Sequence, residues 1–583
     1  MKNIKYIIQS CMTVLFIASM SSCEIEEYNP SGVTADAIWS TPEGFQTLVN
    51  IAYSDQRTWY GKTDGLFMSE TGTDLWFNKE KDGWAKEISK YEDFTPSTGN
   101  PNKATWREMN KALNLCNAGI GRIGDVDFPS EEVRNQKEGE LRFLRAFYLW
   151  HIVETWGGVS LRTEETKEPV LTAVRSQVED FYEVIMGDLE FAKDNLPLDY
   201  GDEYSRATVK SALGLLARVY LTKAYQLTGD QALSYYTMAR DMAKEVIDRQ
   251  EEFNVSLWNN YADLWNPNNN KENKEALYVV SNSTNTAINY DLNANRLHLW
   301  FITGYSGKPG MQLSMEYGVD DRRRLMPTLH VLDLFDENMD SRYENSFQEV
   351  WLCNDSADIP VWTAEEIAAG GLDPGLIDQN KFEYGDTAMY ITRKSISDEN
   401  TLGYLVIDRD SVYDTAGNGA IHTGDDYVQL TKYLDPVTRT DATSRPGYQD
   451  VIVIRLAEMY LIAAEAEFKL NNRAQAATYI NVLRTRAAKK TPIDYTQDMQ
   501  VTAGDISVEF ILDERGRELC GEHIRWFDIK RVFSNDPAGF VSYIKTRNPD
   551  IVELKEHHIL RPVPQTEIDA LLNGEEFGQN PGY

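Results

Sequence analysis

Two stretches of this chain combine flat aromatic rings with short polar side chains, a pairing suited to holding neutral, hydroxylated ring compounds. The first runs from Asp74-Leu75-Trp76-Phe77-Asn78 through to Trp84. The second runs from Asn289-Tyr290-Asp291 through Arg296 and Trp300-Phe301 to Tyr305-Ser306-Gly307. An aromatic face covers the apolar C–H face of such a ring, while Asn, Asp and Arg direct hydrogen bonds at hydroxyls. The candidate ligand-binding residues are therefore Trp76, Asn78, Trp84, Tyr290, Asp291, Arg296, Trp300 and Tyr305. Each aromatic has an alternative use as a packed residue under a long loop. Leu297, Leu299 and Ile302 pull Trp300 towards that second use.

Patterns for bond-making chemistry are missing from the sequence. The seven histidines form no HExxH or related metal spacing, and the adjacent pair His557-His558 diverges on regular structure. No GxSxG elbow or glycine-rich phosphate loop occurs. Glu514, Arg515, Arg517, Glu518, Glu522 and Arg525 recur at helical spacing, and the interleaved arginines make them a structural ion network. Asp320-Asp321-Arg322-Arg323-Arg324 is the sharpest charge cluster and reads as an ion-paired turn rather than a charged-sugar site. A glycoside hydrolase needs two carboxylates at a defined separation, and no motif isolates such a pair among 91 acids. We expect no catalytic residue, no metal and no cofactor.

The bulk charge narrows the partner. With 58 basic and 91 acidic residues, the net charge is −33. Loss of the first 22 residues, which carry Lys2 and Lys5 but no acid, takes it to about −35. Nucleic acid is excluded as a partner, because a phosphate-binding surface needs clustered Lys and Arg. Of the five cysteines, Cys11, Cys23, Cys116, Cys353 and Cys520, no two have metal-ligand spacing and no disulfide framework emerges. Cys116 and Cys520 fall within helical patterns as small buried residues. Cys353 is left open between a free and a paired thiol.

The chain begins MKNIKYIIQSCMTVLFIASMSSC, two lysines before an apolar run that ends in small residues. This is a secretory signal over 1–22, too short for a permanent span. Ser21-Ser22-Cys23 resembles a bacterial lipobox, which makes Cys23 the site of lipidation and anchoring. The acidic linker 23–36, with Glu24, Glu26 and Glu27, resembles the tag that sends Bacteroidetes lipoproteins to the outer face.

What must position the aromatic stretches is a set of amphipathic helices. Arg206–Arg249 carries Val209, Leu213, Leu216, Tyr220 and Ala224 on one stripe, then Ala232, Tyr236, Ala239, Ala243, Val246 and Ile247 on the next. Gly229 takes the positive φ between them and Asp230 caps the second helix. The unit has the size of a tetratricopeptide hairpin and needs others to stack on. Further helices are expected over 37–53, 105–123, 138–153, 178–196 and 508–532. A second hairpin is expected over 455–487, turning at Asn471-Asn472. Between about 253 and 447 the helical period lapses, leaving long loops and short strand-like runs, ALYVV, AMYIT and YLVI.

The segments ELRFLRAFYLWHIVETWGGVSL (140–161), RATVKSALGLLARVYL (206–221), RLAEMYLIAAEA (455–466), FILDERGRELCGEHIRWFDIKR (510–531) and the terminal QNPGY resemble, in that order, the SusD/RagB family. The resemblance implies a mainly α fold: a tetratricopeptide-like scaffold, about 37–250 and 451–535, within one SusD-like domain over 37–583. A large irregular ligand region follows, about 253–447 plus the loop 57–101. It implies an outer-membrane lipoprotein, facing the exterior, that captures oligosaccharide for a SusC-like TonB-dependent transporter. A peptide ligand, a pure interaction scaffold and a surface glycoside hydrolase are the alternatives. Ligand residues vary across the family, so no site residue is carried over.

Overall fold

A computed structural model describes residues 35–79, 85–285, 294–319, 322–393 and 396–583. The signal, the lipobox cysteine and most of the acidic linker lie outside the described residues.

The major helices, numbered here in chain order, are α1 Pro42–Gln56, α2 Thr63–Glu70, α3 Asn102–Arg122, α4 Glu131–Trp156, α5 Val178–Asn195, α6 Val209–Gln226 and α7 Gly229–Asp248. After the insertion come α8 Leu456–Lys469, α9 Arg473–Ala487, α10 Val508–Glu518, α11 Arg525–Val532 and α12 Pro537–Arg547. The fold is mainly α, as the periodicity requires. Several ends follow local chemistry. Thr41 caps α1 by accepting from Gly44 N at 3.1 Å, with Pro42 at the first helical position. Gly229 does take positive φ (+60°), but Thr228 rather than Asp230 is the N-cap of α7. Asn471, at φ +63°, and Asn472, whose side chain accepts from Gln475 N, make the turn between α8 and α9. The single segment expected over 508–532 is two helices, interrupted where Gly521 and His523 adopt positive φ.

On α7 the buried residues are Ala232, Tyr236, Ala239, Ala243 and Val246, one stripe at spacings of four and three. On α6 burial extends almost all round, from Ser211 to Tyr225. That difference reflects what surrounds each helix. α6 packs between α5 and α7 and also meets a strand ladder, which Gly214 approaches so closely that a Cβ there would lie 3.0 Å from Ile454 Cγ2.

Helices pack in the spatial order α1-α3-α4-α5-α6-α7-α8-α9. The two hairpins, read as dispersed in sequence, are therefore neighbours in space, with α7 directly against α8 across an insertion of about 200 residues. The insertion leaves and re-enters the stack through one antiparallel ladder, β2 (Ala276–Val280) on β9 (Val451–Arg455). β1 (Trp76–Asn78) pairs with β3 (Leu325–Pro327), and β4 (Phe347–Gln348) with β8 (Gln429–Leu430). β5 (Val350–Leu352), β6 (Thr387–Thr392) and β7 (Leu405–Asp408) form the one three-stranded sheet among the described residues. ALYVV, AMYIT and YLVI are thus β2, most of β6 and most of β7.

A buried ion network joins insertion to scaffold. Arg455, at the end of the neck ladder, donates to Glu518 at 2.8 Å, Glu522 at 2.8 Å and Glu275 at 3.3 Å. Arg342 of the insertion reaches Glu514 at 2.8 Å and Glu518 at 3.1 Å. Burial opposes ionisation of Glu514 and Glu518, yet the surrounding guanidinium groups hold both carboxyls below their ordinary range. The acids of 514–525 are structural, and most of their partners come from other elements.

Candidate functional site

The two aromatic stretches meet. Short β1 pairs with β3, so Asn78 opposes Leu325, and the ladder continues with Lys79 N donating to Arg324 O at 3.0 Å. The backbone of Arg324 and Leu325 in turn donates to Trp300 O. Trp76 consequently lies edge-on to Phe301, with centroids 4.7 Å apart, and Trp300 lies edge-on to Phe67 of α2 at 5.4 Å. Beneath them, Glu70 accepts from the Trp76 indole at 3.1 Å and from the backbone N–H groups of Ile524 and Arg525. Burial pushes its carboxyl up to about 7 despite those donors.

This arrangement corrects the reading of these rings as exposed platforms. Trp76 is 1% exposed, Trp300 7% and Tyr305 0%. Apolar neighbours on both sides, Leu75 and Phe77 in one stretch and Leu299 and Phe301 in the other, draw them into the core. Tyr305 donates its hydroxyl to Gly318 O at 2.6 Å and accepts from Ser314 N, which fixes a loop rather than facing outward. Asn78 is also buried and donates to Ser89 Oγ at 3.3 Å. Arg296 is half-buried, and its backbone N–H donates to Gly61 O. Trp84, Tyr290 and Asp291 lie outside the described residues.

The rings pack as a floor, and two mixed-charge pairs adjoin them along the chain as a polar rim. Lys79 pairs with Asp425 at 3.1 Å, and Lys308 with Asp426 at 2.6 Å. The hydrogen bond from Lys79 holds the Asp425 carboxyl below its usual range, with Arg323 and Lys308 adding to the effect. The segment bearing these aspartates is lashed to the second stretch: Tyr427 donates its hydroxyl to Ile302 O at 2.7 Å and its N–H to Thr303 Oγ1 at 3.0 Å. Arg323 sits at φ +42° over Gly304. Of the cluster 320–324, Asp320 and Asp321 lie outside the described residues. Lys79, Lys308, Asp425 and Asp426 were not among the sequence candidates; single charged residues in loops carry no pattern that would single them out.

A separate cleft of about 590 Å³ opens on the insertion, with Tyr317, Tyr343 and Phe347 in its wall and Glu316, Glu344 and Glu349 at its edges. Two of those acids are occupied: Glu349 accepts from Arg409 at 2.7 Å and Glu344 from Lys489 at 2.5 Å. Among the described residues no group of three or more His, Cys, Asp or Glu is arranged to hold a metal ion.

Comparison with known proteins gives this geometry its family. A model described as the SusD family matches 333–583, and one described as starch-binding, associating with the outer membrane, matches 40–221. The chain belongs to the SusD/RagB family. SusD-like protein P2 of Formosa agariphila is 24% identical over an alignment covering 98% of each chain. A SusD homologue from Bacteroides thetaiotaomicron superposes with a TM-score of 0.67 at 20% identity, over 94% of this chain and 98% of its own. A laminarin-binding SusD-like protein superposes at 0.64 and 19% identity, over 93% and 99%. In this SusD/RagB protein no helix of the described residues is long and apolar enough to cross a membrane.

Proposed function

We propose that the protein is a non-catalytic, lipid-anchored capture protein of the outer-membrane exterior. It binds an oligosaccharide and passes it to a SusC-like TonB-dependent transporter. The observation that carries this reading is the meeting of the two aromatic stretches beside one polar rim, in a chain whose residues 40–221 match a model described as starch-binding. Neutral hydroxyls suit that rim, because each can donate to Asp425 or Asp426 and accept from a lysine or arginine without burying a net charge. Ring stacking then falls to Trp84 and Tyr290, with Asp291 and Arg296 supplying further hydrogen bonds. Cys23 carries the anchor.

The test is calorimetry with a panel of neutral oligosaccharides, followed by an assay for new reducing ends. One oligosaccharide should bind without being cleaved, and Trp84→Ala with Tyr290→Ala should weaken binding at least tenfold. Release of reducing ends would overturn the non-catalytic reading. Unchanged affinity in the double variant would overturn the site.

A further inference from the structure

The three-stranded sheet of the insertion has two edges, and they are finished differently. On β5 the outward groups are taken by side chains: Leu352 N donates to Tyr317 Oη at 3.0 Å, and Val350 O accepts from the Gln348 amide at 3.0 Å. β7 pairs in parallel with β6, from Leu405 opposite Met389 to Asp408 opposite Thr392, with no break in register. Among the described residues no strand lies on its other side, and no hydrogen bond reaches Leu405, Val406 or Ile407 from beyond that ladder.

Backbone groups alternate in direction along a strand, so β7 turns an N–H and a C=O outward at every second residue. Such an edge is a template for a further strand, and proteins ordinarily blunt it with Lys, Pro, a bulge or a covering element. The run Tyr404-Leu405-Val406-Ile407-Asp408 has neither Lys nor Pro, and Val406 and Ile407 are β-branched residues that suit a paired strand.

A cleft of about 520 Å³ borders this edge, with Tyr404, Leu405 and Val406 among its lining and Trp362 and Phe382 in its wall. Three acids line it as well. Glu366 is bound by Lys381 at 2.5 Å, and that lysine lies over the Trp362 ring at 4.9 Å. Glu365 and Glu399 are exposed, and no ion pair holds either of them among the described residues. From 353 to 410 the chain carries twelve acids and four bases. That field repels an acidic partner, and pairing β7 with a second copy of itself would set one acidic lobe against another. It attracts a basic one.

We propose that β7 accepts an extended, basic segment of another polypeptide as a fourth strand. The backbone of that segment bonds to the outward groups of Leu405–Asp408, and one of its apolar side chains enters the cleft beside Trp362 and Phe382. A lysine or arginine next in line meets Glu365 and Glu399. Recognition here runs through main chain and charge, unlike the ring-and-hydroxyl chemistry of the rim.

The probes are synthetic decapeptides alternating Val with Lys or Val with Glu, titrated calorimetrically into the full-length protein. Two further versions of the Val-Lys peptide are N-methylated at every Val or at every Lys, which removes the donors along one edge and keeps the charge. The Val-Lys peptide should bind at least tenfold more tightly than Val-Glu, and at least one methylated version should lose at least tenfold. Hydrogen exchange of the outward amides within 404–408 should slow at least tenfold when the Val-Lys peptide is bound. Glu365→Gln with Glu399→Gln, both on the surface, should weaken that peptide at least fivefold without moving the melting temperature. Equal affinity of all three Val-Lys peptides overturns strand pairing. Binding without protection of 404–408 overturns the site, and an unaffected double variant or a preference for Val-Glu overturns the choice of a basic partner. No binding of any peptide overturns the proposal as a whole.

Discussion

Asp74 and Arg525 offer the sharpest test of how the floor of packed rings is held in place. Asp74 lies two residues before the start of β1 and is fully buried, as is Arg525 of α11. The guanidinium meets the carboxylate through two bonds, Nε to Oδ1 at 2.8 Å and Nη2 to Oδ2 at 2.5 Å. Burial opposes ionisation of Asp74, but Arg525 outweighs it and, with His330, keeps the carboxyl below its ordinary range. Removing one partner of such a pair leaves the other as an uncompensated buried charge, at a cost of about 3–5 kcal/mol. In Asp74→Ala the guanidinium retains Leu512 O at 2.6 Å and Tyr543 Oη at 3.1 Å, so the expected loss is about 3 kcal/mol, the lower end of that range. Urea unfolding at pH 7 measures it. The double variant Asp74→Ala with Arg525→Met should recover at least half of the loss, because the stranded charge is gone. The sign with pH is fixed too. A carboxyl held low in the folded state contributes its stability above the ordinary carboxylate range and gives it up as pH falls below that range. The deficit of Asp74→Ala relative to the parent should therefore shrink in acid. A loss under 1 kcal/mol at pH 7, or no recovery in the double variant, would refute the claim that this pair ties β1 to the scaffold.

Two further outcomes follow from buried groups. His151, His298, His523 and His558 are each pushed down to about 3, mainly by burial. Between about 6.5 and 3 the unfolded chain takes up protons that the native state refuses, so stability is full above 6.5 and falls as pH drops through that window. Urea midpoints should decline from pH 7 to pH 5, and a flat profile would contradict the burial of these rings. Cys116, Cys353 and Cys520 are free and buried, so a thiol reagent should label none of them in the native protein and all three after unfolding. Rapid native labelling of any one would show that its surroundings open.

The helical scaffold was legible because its signal is local. The stripe of α7 lies within 15 residues, and the Asn471-Asn472 turn announces itself by residue type. The ends slipped where caps competed, as at Thr228 and Asp230. Contiguity of the repeat stack was not legible, because what brings α7 to α8 is pairing between Ala276–Val280 and Val451–Arg455, strands about 170 residues apart. The aromatic stretches were legible only as two separate candidates. That they meet was not, and sequence could not say which face of each ring the core would claim. Trp76 looks as suitable for a ligand as Trp84 until β1 pairs with β3 and turns it inward. The rim residues Lys79 and Asp425 are 346 positions apart and acquire meaning only when the fold sets them side by side.

The neck ladder has a consequence for how such a protein can change. Its two strands lie side by side in antiparallel register, so the insertion begins and ends within a few ångströms of the same point. Loops threaded between them can lengthen or shorten at a small entropic cost without shifting α7 against α8, so long as Arg342 and β3 keep their partners. The helical stack then acts as a fixed socket and the insertion as an exchangeable cassette. Room for variation and constancy of mounting are assigned to different stretches of one chain.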